Sequence, residues 1–257
     1  MSVRAIMRPA SLGPSFAGGL LGSGNLLSSE PKAVAVSNGQ TPDANFVVPN
    51  NAPIEVDTFV LAFVGASGVN LDALSVNFGL RSGGGNITVG RTALLPSRIS
   101  GGRRHAVLQL AQPLQSTLFG FNVTTDNGPP PAGISFGLFA VGKAFRPTWG
   151  GEWGGGVGLV DTASVTRRKD GGFGIDPGVR AMLPQWTFGD LSDTERTDLF
   201  GLLHGCGESE PMLVIEGDDT GPTLSEQVHW GLFTRIEAYE RTAPGTTRWS
   251  LRFQDWV

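Results

Sequence analysis

The 257-residue chain contains a single cysteine, Cys206, and few charged side chains. One cysteine excludes a disulfide within the chain and leaves the redox compartment undetermined. Charged residues make up 16% of the sequence, whereas typical soluble domains have roughly 25%. So low a charge favours a protein whose surface is partly covered by neighbouring subunits.

Long apolar runs are also missing. No stretch approaches the roughly eighteen consecutive apolar residues that a membrane-spanning helix needs. The opening residues, Met1-Ser-Val-Arg-Ala-Ile-Met-Arg-Pro9, lack the apolar core of a signal peptide. We therefore expect neither membrane insertion nor export through a signal peptide.

Motifs of nucleotide binding and catalysis are absent as well. The glycines at 150–158 do not complete Gly-x-Gly-x-x-Gly, and no phosphate-binding loop occurs. The three histidines lie far apart in the sequence, without the spacing of a zinc site. We expect no enzyme activity, no cofactor and no metal. Glycoside hydrolysis needs carboxylates paired in space, which a sequence does not reveal, so a cell-wall hydrolase stays a third alternative.

Glycine is abundant, with 38 residues, about twice the usual share. Between residues 30 and 146, clusters of Gly, Pro, Asn and Ser separate short apolar runs, and no useful helical period appears. These runs predict strands at 45–48, 54–64, 74–80, 86–91, 105–110, 118–124 and 134–145. We therefore predict a mainly β protein with an N-terminal β-sandwich.

The last hundred residues predict a second β-rich domain that contains one short α-helix. Ser192 and Glu195 fit a capping box at the start of this helix. Three leucines between residues 199 and 203 share one helix face, and Gly205 stands where a left-handed C-cap belongs. The predicted helix covers residues 193–204.

Charge divides the chain near residue 146. Residues 1–146 carry ten Lys and Arg against six Asp and Glu, whereas residues 147–257 carry nine against seventeen. The change coincides with a Pro- and Gly-rich segment, which favours a domain boundary there. The predicted parts are an N-terminal arm (1–21), a β-sandwich (22–146), a Gly/Trp-rich connector (147–163) and a C-terminal β domain (164–257).

Candidate contact residues are two tryptophans and two basic pairs: Trp149, Trp153, Arg103, Arg104, Arg167 and Arg168. Tryptophans in a Gly-rich connector fit a domain seam, a subunit interface or a surface that stacks on sugar rings. The basic pairs lack interleaved aromatics and the whole chain is acidic, so we expect no nucleic-acid binding. We expect these cations to pair with acidic neighbours instead.

The N-terminal half resembles the discoidin-like jelly rolls, also called galactose-binding-like domains. The resemblance rests on Asn25-Leu-Leu-Ser-Ser-Glu-Pro31, on Ala33-Val-Ala-Val36 and on the strand that begins at Pro53-Ile-Glu-Val-Asp57. It covers about residues 22–145. It implies a jelly-roll-like β-sandwich for this region.

The C-terminal region resembles the structural proteins of phage tail tips, also called distal-tail or minor tail proteins. The similar segments, in order, are 165–173, 191–195, 211–214, 230–237 and 249–256. The resemblance implies a tail-tube-like domain at 164–257 and a ring-forming homo-oligomer that links the tail tube to the receptor-binding apparatus. It also implies a virion protein that is made in the host cytoplasm and binds other tail proteins. A carbohydrate-binding adhesin that contacts host surface glycans is the alternative.

Overall fold

The computed structural model describes residues 2–30, 32–66, 70–82, 85–99, 102–125, 128, 130–152, 155–167, 169, 171–218 and 221–256. Strands hold 59% of the residues and helices 12%. The predicted mainly β class is therefore confirmed.

The strands are β1 (Ser2–Met7), β2 (Gly13–Gly18), β3 (Leu20–Leu21), β4 (Ala35–Ser37), β5 (Asp43–Val47), β6 (Ile54–Ala66), β7 (Leu74–Ser82), β8 (Gly85–Ala93), β9 (Arg104–Ser116), β10 (Leu118–Thr125), β11 (Ile134–Gly142), β12 (Ala144–Phe145), β13 (Gly156–Asp161), β14 (Ser164–Arg167), β15 (Phe173–Asp176), β16 (Arg180–Leu191), β17 (Met212–Gly217), β18 (Val228–Ile236), β19 (Glu240–Ala243) and β20 (Thr246–Asp255). Within the described residues one α-helix forms, α1 (Asp193–Cys206), along with four short 3₁₀ helices.

The chain divides into two compact units. The first unit contains residues 3–146 together with residues 213–228. The second contains residues 147–212 and 229–257. The sequence analysis assigned 213–228 to a continuous C-terminal domain, whereas here this segment belongs to the first unit.

Two five-stranded antiparallel sheets form the sandwich of the first unit, and the same unit contains β12 and most of β1 and β17. The strand orders of the two sheets are β2-β5-β10-β7-β8 and β3-β4-β11-β6-β9. Apolar residues of both sheets form one buried cluster, because alternate side chains of each strand point towards the facing sheet. The predicted N-terminal β-sandwich is thus confirmed.

Eight buried phenylalanines dominate this core, four from each sheet: Phe46, Phe78, Phe119 and Phe121 face Phe59, Phe63, Phe136 and Phe139. The rings of Phe46 and Phe139 stack across the sandwich with their centroids 4.9 Å apart. Phe121 lies 5.2 Å from the same Phe139 ring. Aromatic pairs at these separations stabilise a core beyond the area that they bury.

Residues 213–228 are held against the sandwich by hydrogen bonds that end at Glu226. Its Oε1 atom accepts from the Ser97 hydroxyl at 2.6 Å and from the amide of Arg98 at 2.7 Å. Partial burial works to raise the pKa of Glu226, but these hydrogen bonds outweigh it and the pKa is lowered. The carboxylate therefore fixes a loop of the sandwich to a segment far away in the sequence.

The second unit contains a sheet with the order β13-β16-β20-β18, and β19 adds to β20. Helix α1 packs against β16 and β20, and it buries Leu199, Leu203 and Cys206. These residues are spaced by four and three positions, so they lie on one face of the helix. The predicted single α-helix in a C-terminal β-rich region is confirmed.

Both ends of α1 follow from local chemistry. The hydroxyl of Ser192 accepts from the amide of Glu195, and the Glu195 carboxylate accepts from the amide of Ser192, as the predicted capping box requires. The predicted C-cap at Gly205 is wrong. Burial of Cys206 extends the apolar face past this glycine, and the helix ends at Gly207, where φ is 58°.

Candidate functional site

Trp149 stands on a short loop of the second unit, and 70% of its surface is exposed. The loop is fixed on both sides of the ring. On one side, the amide of Thr148 donates to Glu195 Oε1 at 2.6 Å. On the other, the amide of Glu152 donates to the Thr187 carbonyl at 2.6 Å. An exposed aromatic ring on a fixed loop is suited to contact a sugar or a protein.

Two charged groups reinforce this loop. The carboxylate of Glu152 pairs with Arg248 at 3.1 Å. Partial burial works to raise the pKa of Glu195, but hydrogen bonds from Ser192 and Thr148 outweigh it and lower the pKa to about 2. The Glu195 carboxylate therefore holds the backbone of this loop, and the Glu152 carboxylate holds the Arg248 cation.

Two of the predicted contact residues, Trp153 and Arg168, lie outside the described residues.

The other basic candidates differ sharply in their surroundings. Arg104 is only 13% exposed and pairs with Asp72 at 2.7 Å. Its guanidinium also donates to the carbonyls of Leu95 at 2.8 Å and Leu94 at 3.3 Å. Arg103 is half-buried and also has a partner within the protein. The structure thus gives Arg104 a role in holding the fold.

Arg167 lies in a long antiparallel hairpin, which we call the ribbon (residues 156–185). At its base, β13 pairs with β16 from Gly156–Gln185 to Asp161–Arg180. Thr162 and Val179 then exchange hydrogen bonds of 2.8 and 3.1 Å. Beyond them β14 pairs with β15, from Ser164–Asp176 to Arg167–Phe173. Residues 164–176 form the distal part of the ribbon.

The distal part of the ribbon exposes one apolar face. Val165 lies opposite Ile175, and Arg167 lies opposite Phe173, so these four side chains share that face. Val165 is 63% exposed, Ile175 69% and Phe173 57%. The Arg167 guanidinium lies 5.8 Å from the centre of the Phe173 ring, close enough for a cation–π contact.

Sequence reasoning selected Arg167 but missed its three apolar neighbours. A signal was present in the sequence. Lys169-Asp-Gly-Gly172 is a turn sequence, and it is flanked by β-branched and aromatic residues at alternate positions. These residues define a hairpin, but only the structure establishes that no other element of the described chain covers the apolar face.

A groove of about 420 Å³ opens beside the base of the ribbon. Five of its nine lining residues are apolar: Val160, Val179, Ala181, Leu232 and Trp256. The remaining lining residues are Thr162, Thr234, Gln254 and Asp255. The volume lies within the range of binding pockets in proteins, roughly 300–1,000 Å³.

The side chain of Asp255, whose residue borders the groove, is itself almost fully buried. Asp255 Oδ1 lies 3.1 Å from Nδ1 of His229, which is almost fully buried. The His229 ring in turn packs edge-on against Trp186, with centroids 5.9 Å apart. Both oxygens of Asp255 lie 3.1–3.2 Å from the Nδ1 atom of His229, so the buried pair joins β18 to β20.

Among the residues that the structure describes, no group of three His, Cys, Asp or Glu side chains is placed to hold a metal ion. Within the same residues, no helix is long and apolar enough to cross a membrane.

No family model and no curated protein matches the chain. A search of solved structures finds the family 32 carbohydrate-binding module of EndoD from Streptococcus pneumoniae. The two chains are 16% identical, and the match covers 55% of this chain and 94% of the module, with a TM-score of 0.34. At that score the chain is similar to the module only in broad outline, and the similarity carries no conclusion about ligand or function.

Proposed function

We propose that the protein is a self-assembling structural subunit that forms a ring through its second unit. The exposed apolar face of the ribbon is the feature that supports this proposal. An isolated two-stranded hairpin is marginally stable in water. Soluble monomers rarely expose large contiguous apolar patches, and those that do usually bind a partner there. A protein partner that covers Val165, Phe173 and Ile175 would stabilise the hairpin and remove its apolar patch from water.

Within this proposal, the assembly is the tip of a phage tail. The distal part of the ribbon lies at the start of the segment, residues 164–257, that resembles tail-tip proteins. The subunit would be made in the host cytoplasm and incorporated in the virion, where its ring links the tail tube to the receptor-binding apparatus. Its partners are further copies of itself and other tail proteins. The proposal assigns the subunit no catalytic residue, cofactor or metal.

The native mass of the purified protein tests self-assembly. We expect light scattering at rising concentration to give a closed oligomer of the 27.0 kDa chain. The double variant Val165→Lys, Ile175→Lys should shift the protein towards the monomer and leave its circular dichroism unchanged. Ile87→Lys, at an exposed isoleucine of the first unit, is the matched control. A wild-type protein that stays monomeric at every concentration would contradict self-assembly.

Carbohydrate binding is the second candidate, and the exposure of Trp149 on its fixed loop favours it. The flat face of an indole ring stacks on the apolar face of a pyranose. A glycan array with the wild type and Trp149→Ala tests this function. We expect the signal to disappear in Trp149→Ala and to persist in Phe16→Ala, which removes an exposed aromatic ring from the first unit. An array without any bound glycan would eliminate this candidate.

A further inference from the structure

A shallow depression lies on the outer face of the sheet β2-β5-β10-β7-β8 in the first unit. Its floor contains Gly120 of β10 and Gly79 of β7, which lie directly opposite each other in neighbouring strands. Both glycines alternate along their strands with apolar residues of the core, so they face away from it. The depression holds about 40 Å³, enough for roughly three groups of the size of a water molecule.

Three asparagines surround this floor: Asn45, Asn77 and Asn122. Each stands between two residues of the buried core, so its side chain points outwards. Asn122 lies opposite Asn77, and Asn45 lies opposite Gly120. A Cβ atom at Gly120 would overlap Oδ1 of Asn45, so the glycine leaves the space that this amide occupies. We call the three asparagines and the two glycines the amide depression.

The side chain of Asn45 is buried without a partner in the described chain. The residue is 6% exposed, and its amide makes no hydrogen bond to any residue that the structure describes. A buried polar group normally has a partner, because an unpaired one keeps the full cost of its removal from water. The half-buried side chains of Asn77 and Asn122 likewise make no hydrogen bond to the described part of the chain. All three amides can therefore bond to a molecule that enters the depression.

The chemistry of the lining selects the class of ligand. An amide offers both an acceptor and a donor, and a hydroxyl group likewise accepts and donates. Among the described residues that line the depression, Asp43 alone is charged. Its carboxylate disfavours an anion, and one carboxylate would leave half the charge of a divalent cation uncompensated. Neighbouring hydroxyl groups on a neutral molecule match the three amides best.

We infer that the amide depression binds a small neutral molecule with neighbouring hydroxyl groups, a free sugar or a linear polyol, through Asn45. The inference goes beyond the proposed self-assembly, which concerns the ribbon of the second unit. It is also separate from Trp149, another residue of the second unit. Since a shallow site contacts few ligand atoms and binds weakly, free ligands in solution test it better than an array.

Saturation-transfer NMR with glucose, galactose, mannose and sorbitol as probes tests the site, because it detects weak binding to a monomer and to a large ring alike. We expect the wild type to transfer saturation to at least one probe, and a response to the sugars without sorbitol would identify a ring as the bound form. Asn45→Leu keeps the size of the side chain but removes its donor and acceptor, so it should weaken binding roughly tenfold. Asn122→Ala should weaken it as well. Thr124→Val is the matched control, on the same face of β10 but outside the depression, and it should bind as the wild type does.

Thermal unfolding of Asn45→Leu separates a binding role from a structural one. Because the Asn45 amide has no partner in the described chain, replacing it with an apolar group should leave the unfolding temperature unchanged or raise it. A lower unfolding temperature would show that the amide holds the fold and would overturn the inference.

The binding data give further decisive outcomes. If no probe binds the wild type, or if Asn45→Leu and Asn122→Ala bind as the wild type does, the inference is wrong. Binding that is lost in Trp149→Ala and kept in Asn45→Leu would assign the ligand to the second unit and also overturn it. A protein that stays monomeric in light scattering but binds a probe through Asn45 would contradict self-assembly and leave this inference standing.

Discussion

The main-chain amide of Thr148 donates to the Oε1 atom of Glu195 at 2.6 Å, and this bond joins the loop of Trp149 to the first turn of α1. The same carboxylate closes the capping box with Ser192. A single side chain therefore fixes both the start of a helix and the exposed aromatic ring beside it. Its protonation should affect the two together.

The lowered pKa of Glu195 predicts a specific dependence of stability on pH. A carboxyl group whose pKa is lower in the folded state stabilises the fold above its unfolded pKa, and this contribution is lost as the pH falls. For Glu195 the loss should occur between pH 4.5 and about 2. We expect the free energy of unfolding to fall more steeply over this range in the wild type than in Glu195→Gln. Urea denaturation at a series of pH values measures both slopes, and Glu240→Gln, on the exposed β19, is the control. Equal slopes for wild type and Glu195→Gln would contradict the prediction.

The helix cap gives a second prediction. Ser192→Ala removes the hydroxyl that accepts from the Glu195 amide, and loss of such a cap costs about 1 kcal/mol of stability. Ser192→Thr keeps a hydroxyl that both accepts from the Glu195 amide and donates to its carboxylate, and it should stay close to the wild type. Chemical denaturation of the three proteins gives the comparison. A Ser192→Thr variant as unstable as Ser192→Ala would show that the cap is not the cause.

Phe139 lies at the centre of the aromatic core, where it contacts rings of the facing sheet. Phe139→Ala removes these contacts and leaves a cavity, which typically costs about 3–5 kcal/mol. Phe16→Ala, at a half-exposed ring of the same unit, should change stability by no more than about 0.5 kcal/mol. Thermal or denaturant unfolding distinguishes the two. A similar loss of stability in both variants would show that the ring contacts of Phe139 do not stabilise the core.

Arg104 and Arg167, which differ in their surroundings, should respond to substitution in opposite ways. Arg104→Ala removes the donor to the Leu94 carbonyl and one donor to the Leu95 carbonyl, which keeps the Ser225 hydroxyl. Loss of a donor to a partly buried carbonyl costs about 1–3 kcal/mol. Arg167→Ala, on the exposed ribbon, should leave stability within about 0.5 kcal/mol of the wild type. It should instead weaken self-assembly, measured by light scattering. If Arg104→Ala weakens assembly at full stability, the assignment of roles is wrong.

Much of the sandwich was predictable because its signals are local. The predicted strands at 54–64 and 74–80 correspond to β6 and β7 within two residues at each end. Apolar side chains and turn residues define such segments without reference to the rest of the chain. The start of α1 was predictable for the same reason, since the capping box lies within four consecutive residues.

Long-range pairing had no local signal. Residues 13–21, assigned to an N-terminal arm, form β2 and β3, which pair with β5 and β4. Glu226 binds Ser97 across a separation of 129 residues. Each partner alone is an ordinary polar or strand residue, so neither contact could be predicted from the sequence.

The candidate site illustrates the same limit. Arg104 and Arg167 both stand in short basic pairs, and composition does not distinguish them. The difference arises from Asp72 and two main-chain carbonyls beside Arg104, and from the ring of Phe173 beside Arg167. The groove combines residues from 160 to 256 in the chain, so it too becomes visible only in the folded unit.

The position of residues 213–228 in the first unit has a consequence for biosynthesis. The sandwich leaves the ribosome first, but the Glu226 carboxylate that binds Ser97 and Arg98 is missing until residues 213–228 have been added. By then residues 147–212, most of the second unit, have already been synthesised. Domains generally fold as units during synthesis, starting from the N-terminus. In this chain the N-terminal unit instead reaches its final form only after most residues of the second unit have been made, so its completion waits for a segment that follows them.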